Sequence, residues 1–262
     1  MMGFQEKNGL RYFTLPSFEE NGIAHGFFTR LGGISPKPWE SLNVATSVGD
    51  SRAHVVENRN RIMSIFEKNF DDVFDTWQIH SDIVHCSESP RSIEKSHEKG
   101  DAVITSNPAV ALMMVFADCV PVLFYDTKKN VCAIAHAGWQ GTVKHIVCRT
   151  VEKMQAEYGC ASEDILAGIG PSIGVDHYEV GDSTEKFIEE SFPGESEKVL
   201  QRRTGKVYFD MWQANVLLLE RYGLKSIEVA GICTACDLQN WYSHRAEKGN
   251  TGRFAAVINV KK

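Results

Sequence analysis

The chain has no excess of positive charge: 28 Lys and Arg stand against 34 Asp and Glu, a net charge of −6 over 262 residues. That balance argues against nucleic-acid binding through a basic surface, although a local basic patch remains compatible with it. Long hydrophobic runs are also missing. The longest uncharged apolar stretch, residues 110–117, falls far short of the ~20 residues a membrane span needs. The N-terminus lacks a basic-then-apolar signal pattern, which predicts a cytoplasmic protein. Seven cysteines, odd in number and scattered, fit a reducing compartment better than a disulfide framework. No repeat or low-complexity tract breaks the chain, and the polar stretches at 89–100, 193–206 and 246–252 are too short to be linkers. What is present, 43% hydrophobic residues, is ample for a core and excludes a disordered chain. One domain over residues 1–262 is expected.

Runs rich in β-branched and aromatic residues predict strands at 23–29, 102–105, 110–116, 120–125, 131–136, 165–169, 206–209, 227–230 and 255–260. Helical spacing predicts one helix capped by Ser51 and running to about Phe66. A second follows Gly138 to about Glu157, and a third covers 182–191. A fourth is capped by Asp210 and stopped at Gly223. The mixture implies an α/β or α+β fold. The strands between 110 and 136 follow each other too closely for crossover helices, so part of the sheet is antiparallel.

Three soft ligands stand out by position: His80 after Trp77-Gln78-Ile79, Cys119 between two apolar stretches, and His136 at the end of a strand. Strand ends let side chains converge on one rim of a sheet. Two imidazoles and a thiolate suit Zn²⁺ with a fourth position open for catalysis. Their intervals match no short zinc-finger pattern. By spacing alone they read rather as partly buried histidines and a small apolar cysteine. Asp118 is expensive to bury without a task. It could orient a ligand imidazole, act as a base, or pair with an arginine. Cys233-Thr-Ala-Cys236 has no second cysteine pair at zinc-ribbon spacing and reads as structural. Thr29-Arg30-Leu31-Gly32-Gly33 is either an anion-binding turn or an ordinary one. Ser243-His244-Arg245 and Thr251-Gly252-Arg253 form a second basic candidate. The glycines of residues 168–174 follow a strand but do not form a dinucleotide fingerprint.

Taken in order, several segments resemble the YfiH-like family. They are His25-Gly-Phe-Phe-Thr-Arg30-Leu-Gly-Gly33, Ser41-Leu-Asn43, Asn58-Arg59, Gln78-Ile-His80, Gly100-Asp101-Ala102, Ala117-Asp118-Cys119-Val-Pro121, Ala135-His136-Ala-Gly138-Trp139, Tyr178-Glu-Val-Gly181, Ser243-His-Arg245 and Thr251-Gly-Arg253. Members have been labelled multicopper polyphenol oxidases or laccase-domain proteins, and are regarded as purine nucleoside phosphorylases with adenosine deaminase side activity. The resemblance implies an α/β fold of two packed mixed β-sheets flanked by helices in an α/β/β/α order. It implies a metal site at His80, Cys119 and His136, with Zn²⁺ expected and copper possible. Arg30 and Asn43 fall in motifs expected to line the substrate pocket, as does Arg245. Purine nucleoside and phosphate are the implied partners of a monomer or small homo-oligomer, with no nucleic acid and no membrane.

Two positions depart from the family pattern: Gln140 stands where arginine is usual, and His177 where cysteine is common. Losing an arginine removes a fixed charge and a bidentate donor, which would weaken phosphorolysis if that position assists phosphate. Phosphorolysis sets phosphate beside the anomeric carbon, with Arg30 as its first candidate partner. Deamination would use a metal-activated water at C6 of adenine, with Asp118 shuttling protons. A four-copper oxidase draws on many histidines, commonly in H-x-H pairs. Nine histidines without one such pair speak against that chemistry. A cysteine hydrolase would use Cys119 as nucleophile and His80 or His136 as base. A closed structural metal site would need a fourth ligand, for which His85 is the candidate.

Overall fold

Strands that are apolar at nearly every position require cover on both faces. The computed structural model, which describes residues 3–92 and 95–261, supplies that cover with two six-stranded sheets packed face to face. The first sheet runs, in spatial order, Phe4–Lys7, Leu10–Phe13, Ala24–Phe28, Phe254–Asn259, Ala111–Phe116 and Val73–Phe74. The second runs Ser226–Val229, Ile165–Ile169, Val120–Asp126, Val131–Ala137, Ala102–Thr105 and Val84–Cys86. Neighbours are antiparallel except for Val73–Phe74 in the first sheet and the two edge strands of the second, which pair in parallel. The expected mixed, largely antiparallel arrangement is therefore present.

Period-two alternation sorts side chains into three apolar layers. Between the sheets, Phe27, Leu112, Met114, Ala256 and Ile258 meet Val103, Leu123, Tyr125 and Ile134. Helix Arg52–Ile65 covers the outer face of the first sheet, setting Ile62, Met63 and Ile65 against Phe28, Met113 and Val257. Helices Ile146–Tyr158 and Met211–Arg221 cover the second through Val147, Val151, Met154, Ala214 and Leu218. The order helix, sheet, sheet, helix is the α/β/β/α layering that the resemblance implies. A small third sheet, Glu179–Val180, Lys206–Phe209 and Leu200–Arg203, sits beside helix Asp182–Ser191.

The caps follow the expected chemistry. Ser51 accepts the His54 N–H, and Asp210 accepts the Gln213 N–H. The helix expected from Gly138 to about Glu157 is instead two, Trp139–Val143 and Ile146–Tyr158. His145 between them has φ 62° and turns its ring onto the Ser191 hydroxyl at 2.8 Å. The break also lets Lys144 Nζ donate to the His80 carbonyl at 2.9 Å. Six strands lie outside the expected set: Phe4–Lys7, Leu10–Phe13, Val73–Phe74, Val84–Cys86, Glu179–Val180 and Leu200–Arg203. All have at most four residues. The first two are joined by Asn8-Gly9, both with φ above +50°, as a tight hairpin turn requires. Residues 1 and 2 of the expected signal-free N-terminus, and 93 and 94 of the expected 89–100 loop, lie outside the described residues. Among the described residues, no helix is long and apolar enough to cross a membrane.

Leu123 is fully buried between the sheets. Leu123→Ala should lower unfolding free energy by about 2–5 kcal/mol in urea denaturation, through lost transfer energy and a residual cavity.

Candidate metal centre

The first and second sheets meet at one rim, where the chain passes from Ala111–Phe116 of one to Val120–Asp126 of the other. Cys119 sits in that crossing, directly after Asp118, whose φ of 81° turns the chain sharply. His136 is the penultimate residue of the neighbouring strand, opposite Pro121. His80 lies in the turn after Gln78 and also has positive φ, 58°. Gln78 fixes one side of that turn by exchanging two side-chain hydrogen bonds with the Val115 backbone, at 2.9 and 3.0 Å.

The ligand atoms of His80, Cys119 and His136 all lie within 4.8 Å of one another. Cys119 Sγ is 3.9 Å from His80 Nε2. Zn–S and Zn–N bonds of tetrahedral length put such a pair about 3.5 Å apart, so a small contraction closes the site. Space for it is reserved at Gly138. A Cβ there would come within 2.8 Å of Cys119 Sγ and 3.0 Å of His80 Cδ2. The residues present fit a single ion bound through two nitrogens and one sulfur.

Asp101 orders the ligands. Its carboxylate accepts from the N–H groups of Ile79, His80 and Ser81 at 3.2, 3.0 and 2.6 Å, and from the Ser81 hydroxyl at 2.7 Å. It also bonds His136 Nδ1 at 2.9 Å, leaving Nε2 for the metal position. Burial works against the Asp101 charge, but the bonds to His136 and Ser81 prevail and hold its carboxyl down to about 2. Burial likewise works against the Cys119 thiolate. Positive charge on His136 and hydrogen bonds from both imidazoles prevail, bringing the thiol down to about 6. His136 is raised to about 9 against its burial by the Cys119 thiolate and Asp101. By contrast, burial pushes the Cys132, Cys148 and Cys160 thiols up to about 12. Cys119 stands apart from these three as a thiol prepared for ionisation.

Asp118 does not orient either imidazole; Asp101 does. The Asp118 oxygens accept from the Thr234 hydroxyl at 2.7 Å and the Arg245 backbone N–H at 2.6 Å. The Arg245 guanidinium lies 5.0 Å from the Tyr178 ring centre and donates to the Glu179 carbonyl. Arg253, noted in sequence only as part of a basic candidate, has its guanidinium charge disfavoured by burial and supported by Cys119 and Asp118. Arg30 donates to the carbonyls of Glu40 and Leu238, pairs with Glu247 at 3.1 Å and stacks on Tyr242. Asn43 is fully buried, with its four hydrogen bonds made to Ala45 (two), Asp50 and the Arg253 N–H. Arg30 and Asn43 thus fasten the loops that carry Arg245 and Arg253.

His85 is not a fourth ligand: it lies on an edge strand and bonds Glu98 and the Lys99 carbonyl. Gln140 occupies the short helix after Gly138. His177 meets Cys233 and Cys236 at the surface, in a second group with Asp176. Sequence spacing did not reveal Asp101. Its signal was an acid directly before a strand that pairs with the His136 strand.

The model of the family described as multi-copper polyphenol oxidoreductase laccase matches residues 24–261. A protein of Bacillus subtilis named purine nucleoside phosphorylase YlmD is 35% identical over 91% of this chain and 89% of its own. A purine nucleoside phosphorylase of Bacteroides thetaiotaomicron is 33% identical over 98% of each chain. The crystal structure of YlmD from Geobacillus stearothermophilus superposes with a TM-score of 0.93 at 31% identity, covering 100% of this chain and 99% of that one.

Two predictions follow from this geometry. Asp101→Asn should weaken metal binding about 10- to 100-fold in competition with a chelator, because the His80 turn and the His136 tautomer lose their common acceptor. At neutral pH the metal-free pair is a Cys119 thiolate beside a protonated His136, so binding must release about one proton per ion. Affinity should therefore rise about tenfold per pH unit between about 6 and 9, and more steeply below 6, where the thiol is also protonated. Calorimetry in buffers of different ionisation enthalpy counts the protons.

Proposed function

From the premise that the chain belongs to the multi-copper polyphenol oxidoreductase laccase family, we propose that it is a purine nucleoside phosphorylase working at a Zn²⁺ ion held by His80, Cys119 and His136. The observation that carries this reading is a braced N, N, S ligand set, with the Arg253 charge supported by Cys119 and the Arg245 backbone bonded to Asp118, the residue before Cys119. The ion, when bound, supplies a Lewis acid that can fix a phosphate or ribose oxygen.

In phosphorolysis a phosphate oxygen bonds to C1′ of the ribose while the C1′–N9 bond breaks. Its electron pair passes to the purine, which takes up a proton. Positive charge develops on the sugar, where the incoming phosphate meets it, so the fixed cations the protein must provide serve the phosphate anion and not the ribose. Arg245 meets that need with a guanidinium stacked on Tyr178 and a backbone locked by Asp118, leaving guanidinium donors for phosphate. Arg253 supplies a second, half-buried charge, supported by Cys119 and Asp118 and anchored on the Thr251 and Gly252 carbonyls. Asp118 acts here as a positioning residue. Its two engaged oxygens support phosphorolysis over deamination, which would ask the same carboxylate to carry protons.

A second reading has one observation in its favour. Cys119, His136 and Asp101 stand in the order nucleophile, base and orienting acid, with the thiol already lowered. His80 favours the metal, because a second imidazole on the sulfur is redundant in a triad and necessary in a ligand set.

Zinc-loaded protein should convert adenosine, inosine and methylthioadenosine to free base and ribose 1-phosphate (or its methylthio analogue) only when phosphate is present. Absence of base release from all three would reject the reading; a covalent adduct on Cys119 would select the hydrolase. Arg245→Ala should lower kcat/KM for phosphate about 10- to 100-fold, with a smaller effect on the nucleoside KM, as expected for one lost charge-assisted contact.

A further inference from the structure

Among the described residues, one other group of side chains outside the centre described above combines metal-ligand chemistry with metal-ligand spacing. Asp176, His177, Cys233 and Cys236 bring one carboxylate oxygen, one imidazole nitrogen and two sulfurs within 4.8 Å of one another. We propose that these four residues form a second metal site, taking a thiophilic divalent cation of the Zn²⁺ type and clipping the 174–181 segment to the 232–240 segment.

The spacing is the first argument. Four ligands around tetrahedral zinc stand about 3.3–3.8 Å apart, given Zn–S near 2.3 Å and Zn–N or Zn–O near 2.0 Å. His177 Nδ1 is 3.8 Å from Cys233 Sγ, 3.6 Å from Cys236 Sγ and 3.2 Å from Asp176 Oδ2. Cys236 Sγ is 3.9 Å from Asp176 Oδ2. All four separations fall at or next to the tetrahedral range.

The surroundings are the second argument. The Cys236 N–H donates to the Cys233 carbonyl at 3.2 Å, a tight turn that presents both thiols to one side. The Gly174 N–H donates to Cys233 Sγ at 3.2 Å, a contact that steadies a thiolate. A Cβ on Gly174 would come within 2.8 Å of Asp176 Oδ1 and 3.4 Å of Cys233 Sγ, so glycine keeps the space open. The two segments are already aligned by a parallel bridge between Ser172 and Cys233 and by the Thr234 N–H donating to the Ser172 carbonyl. Three of the four ligands are exposed, which gives a cation direct entry.

The location gives the site a consequence. Tyr178, which stacks on Arg245, directly follows His177. Thr234, which holds Asp118, directly follows Cys233. A cation joining these segments fixes the distance between the two supports of the Arg245 loop. The second ion is thus a positioning element, separate from the ion at Cys119.

The test uses the full chain, stripped by chelator under reductant and titrated with Co²⁺ and then Zn²⁺. Cys119→Ser removes the sulfur of the first centre. In that background about one equivalent of Co²⁺ should still give tetrahedral ligand-field bands and thiolate-to-cobalt charge transfer, both erased by Zn²⁺. Adding Cys236→Ser, or His177→Ala, which keeps both thiols, should abolish those bands while the circular dichroism stays unchanged. In wild-type protein, Zn²⁺ should protect Cys233 and Cys236 from alkylation, read by peptide mass. The proposal is overturned if the Cys119→Ser protein gives no tetrahedral spectrum. It is equally overturned if Cys233 and Cys236 are recovered as a disulfide when Zn²⁺ is present. Neither result touches the phosphorylase reading, which rests on Cys119 and is judged by base release in the wild-type chain.

Discussion

The candidate centre depends on one carboxylate. Asp101 sits at the mouth of a central strand, where the antiparallel register sets it beside His136. From there it gathers three consecutive N–H groups, a hydroxyl and an imidazole. A buried carboxylate without partners would be expensive. With five donors it becomes the point to which a turn, a strand end and a ligand ring are all tied. The same bonds support the positive φ of His80, which a non-glycine residue does not adopt freely. Position of the ligands and ionisation of the sulfur then have a common origin. The Cys119 thiolate and Asp101 together favour the charged form of His136, and charged His136 in turn favours the thiolate.

A second layer of polar residues holds the loops around that point. Asn58, fully buried in helix Arg52–Ile65, donates to the Ser35 hydroxyl and the carbonyls of Ser41 and Asn43, and accepts the Ile34 N–H. Asp50 accepts from Ser35, Asn43 and Ser51, and Glu247 from Arg30, Ser243 and Thr251. Loops have no ladder to satisfy their backbone groups, so side chains must do it. The 30–45 segment and the 237–253 segment are joined in this way, and the second of them carries Arg245 and Arg253. Precision at the rim thus comes from residues that never face it.

This explains which parts were legible in the sequence. Central strands and the four main helices follow from apolar periodicity and caps, because both faces of each sheet are buried and the pattern is strong. Edge strands such as Val84–Cys86 and Glu179–Val180 are too short and too exposed to carry a pattern. The trio at His80, Cys119 and His136 was visible as chemistry out of place, a soft ligand at each strand end or turn. Arg30 and Asn43 are different: the resemblance alone gives them a pocket role, and the bonds they make here tie loops together. Sequence distinguishes poorly between a polar residue kept for a ligand and one kept for a loop, since both are polar residues in loops. The Cys233–Cys236 pair reads as structural in sequence because no second cysteine pair stands at zinc-ribbon spacing; His177 lies more than 50 residues upstream, and only folding brings it to the thiols.

The family description speaks of several coppers and a polyphenol, whereas the relatives' names speak of a purine nucleoside. The placement of the histidines supports the proposed reading over the oxidase on physical grounds. A multicopper oxidase gathers many imidazoles at one place to pass electrons to oxygen. Here they are dispersed: His25 accepts the Leu15 N–H, His54 bonds Asp50, His85 bonds Glu98, His97 bonds Asp75 and His145 bonds Ser191. Among the described residues, just His80 and His136 share a metal-ligand group. Two imidazoles and one thiolate make one ligand set rather than the several that a multicopper oxidase uses. The mild overall acidity of the chain does not oppose the proposed reaction: a nucleoside is neutral, and phosphate would need only a local positive field, for which Arg245 and Arg253 are proposed.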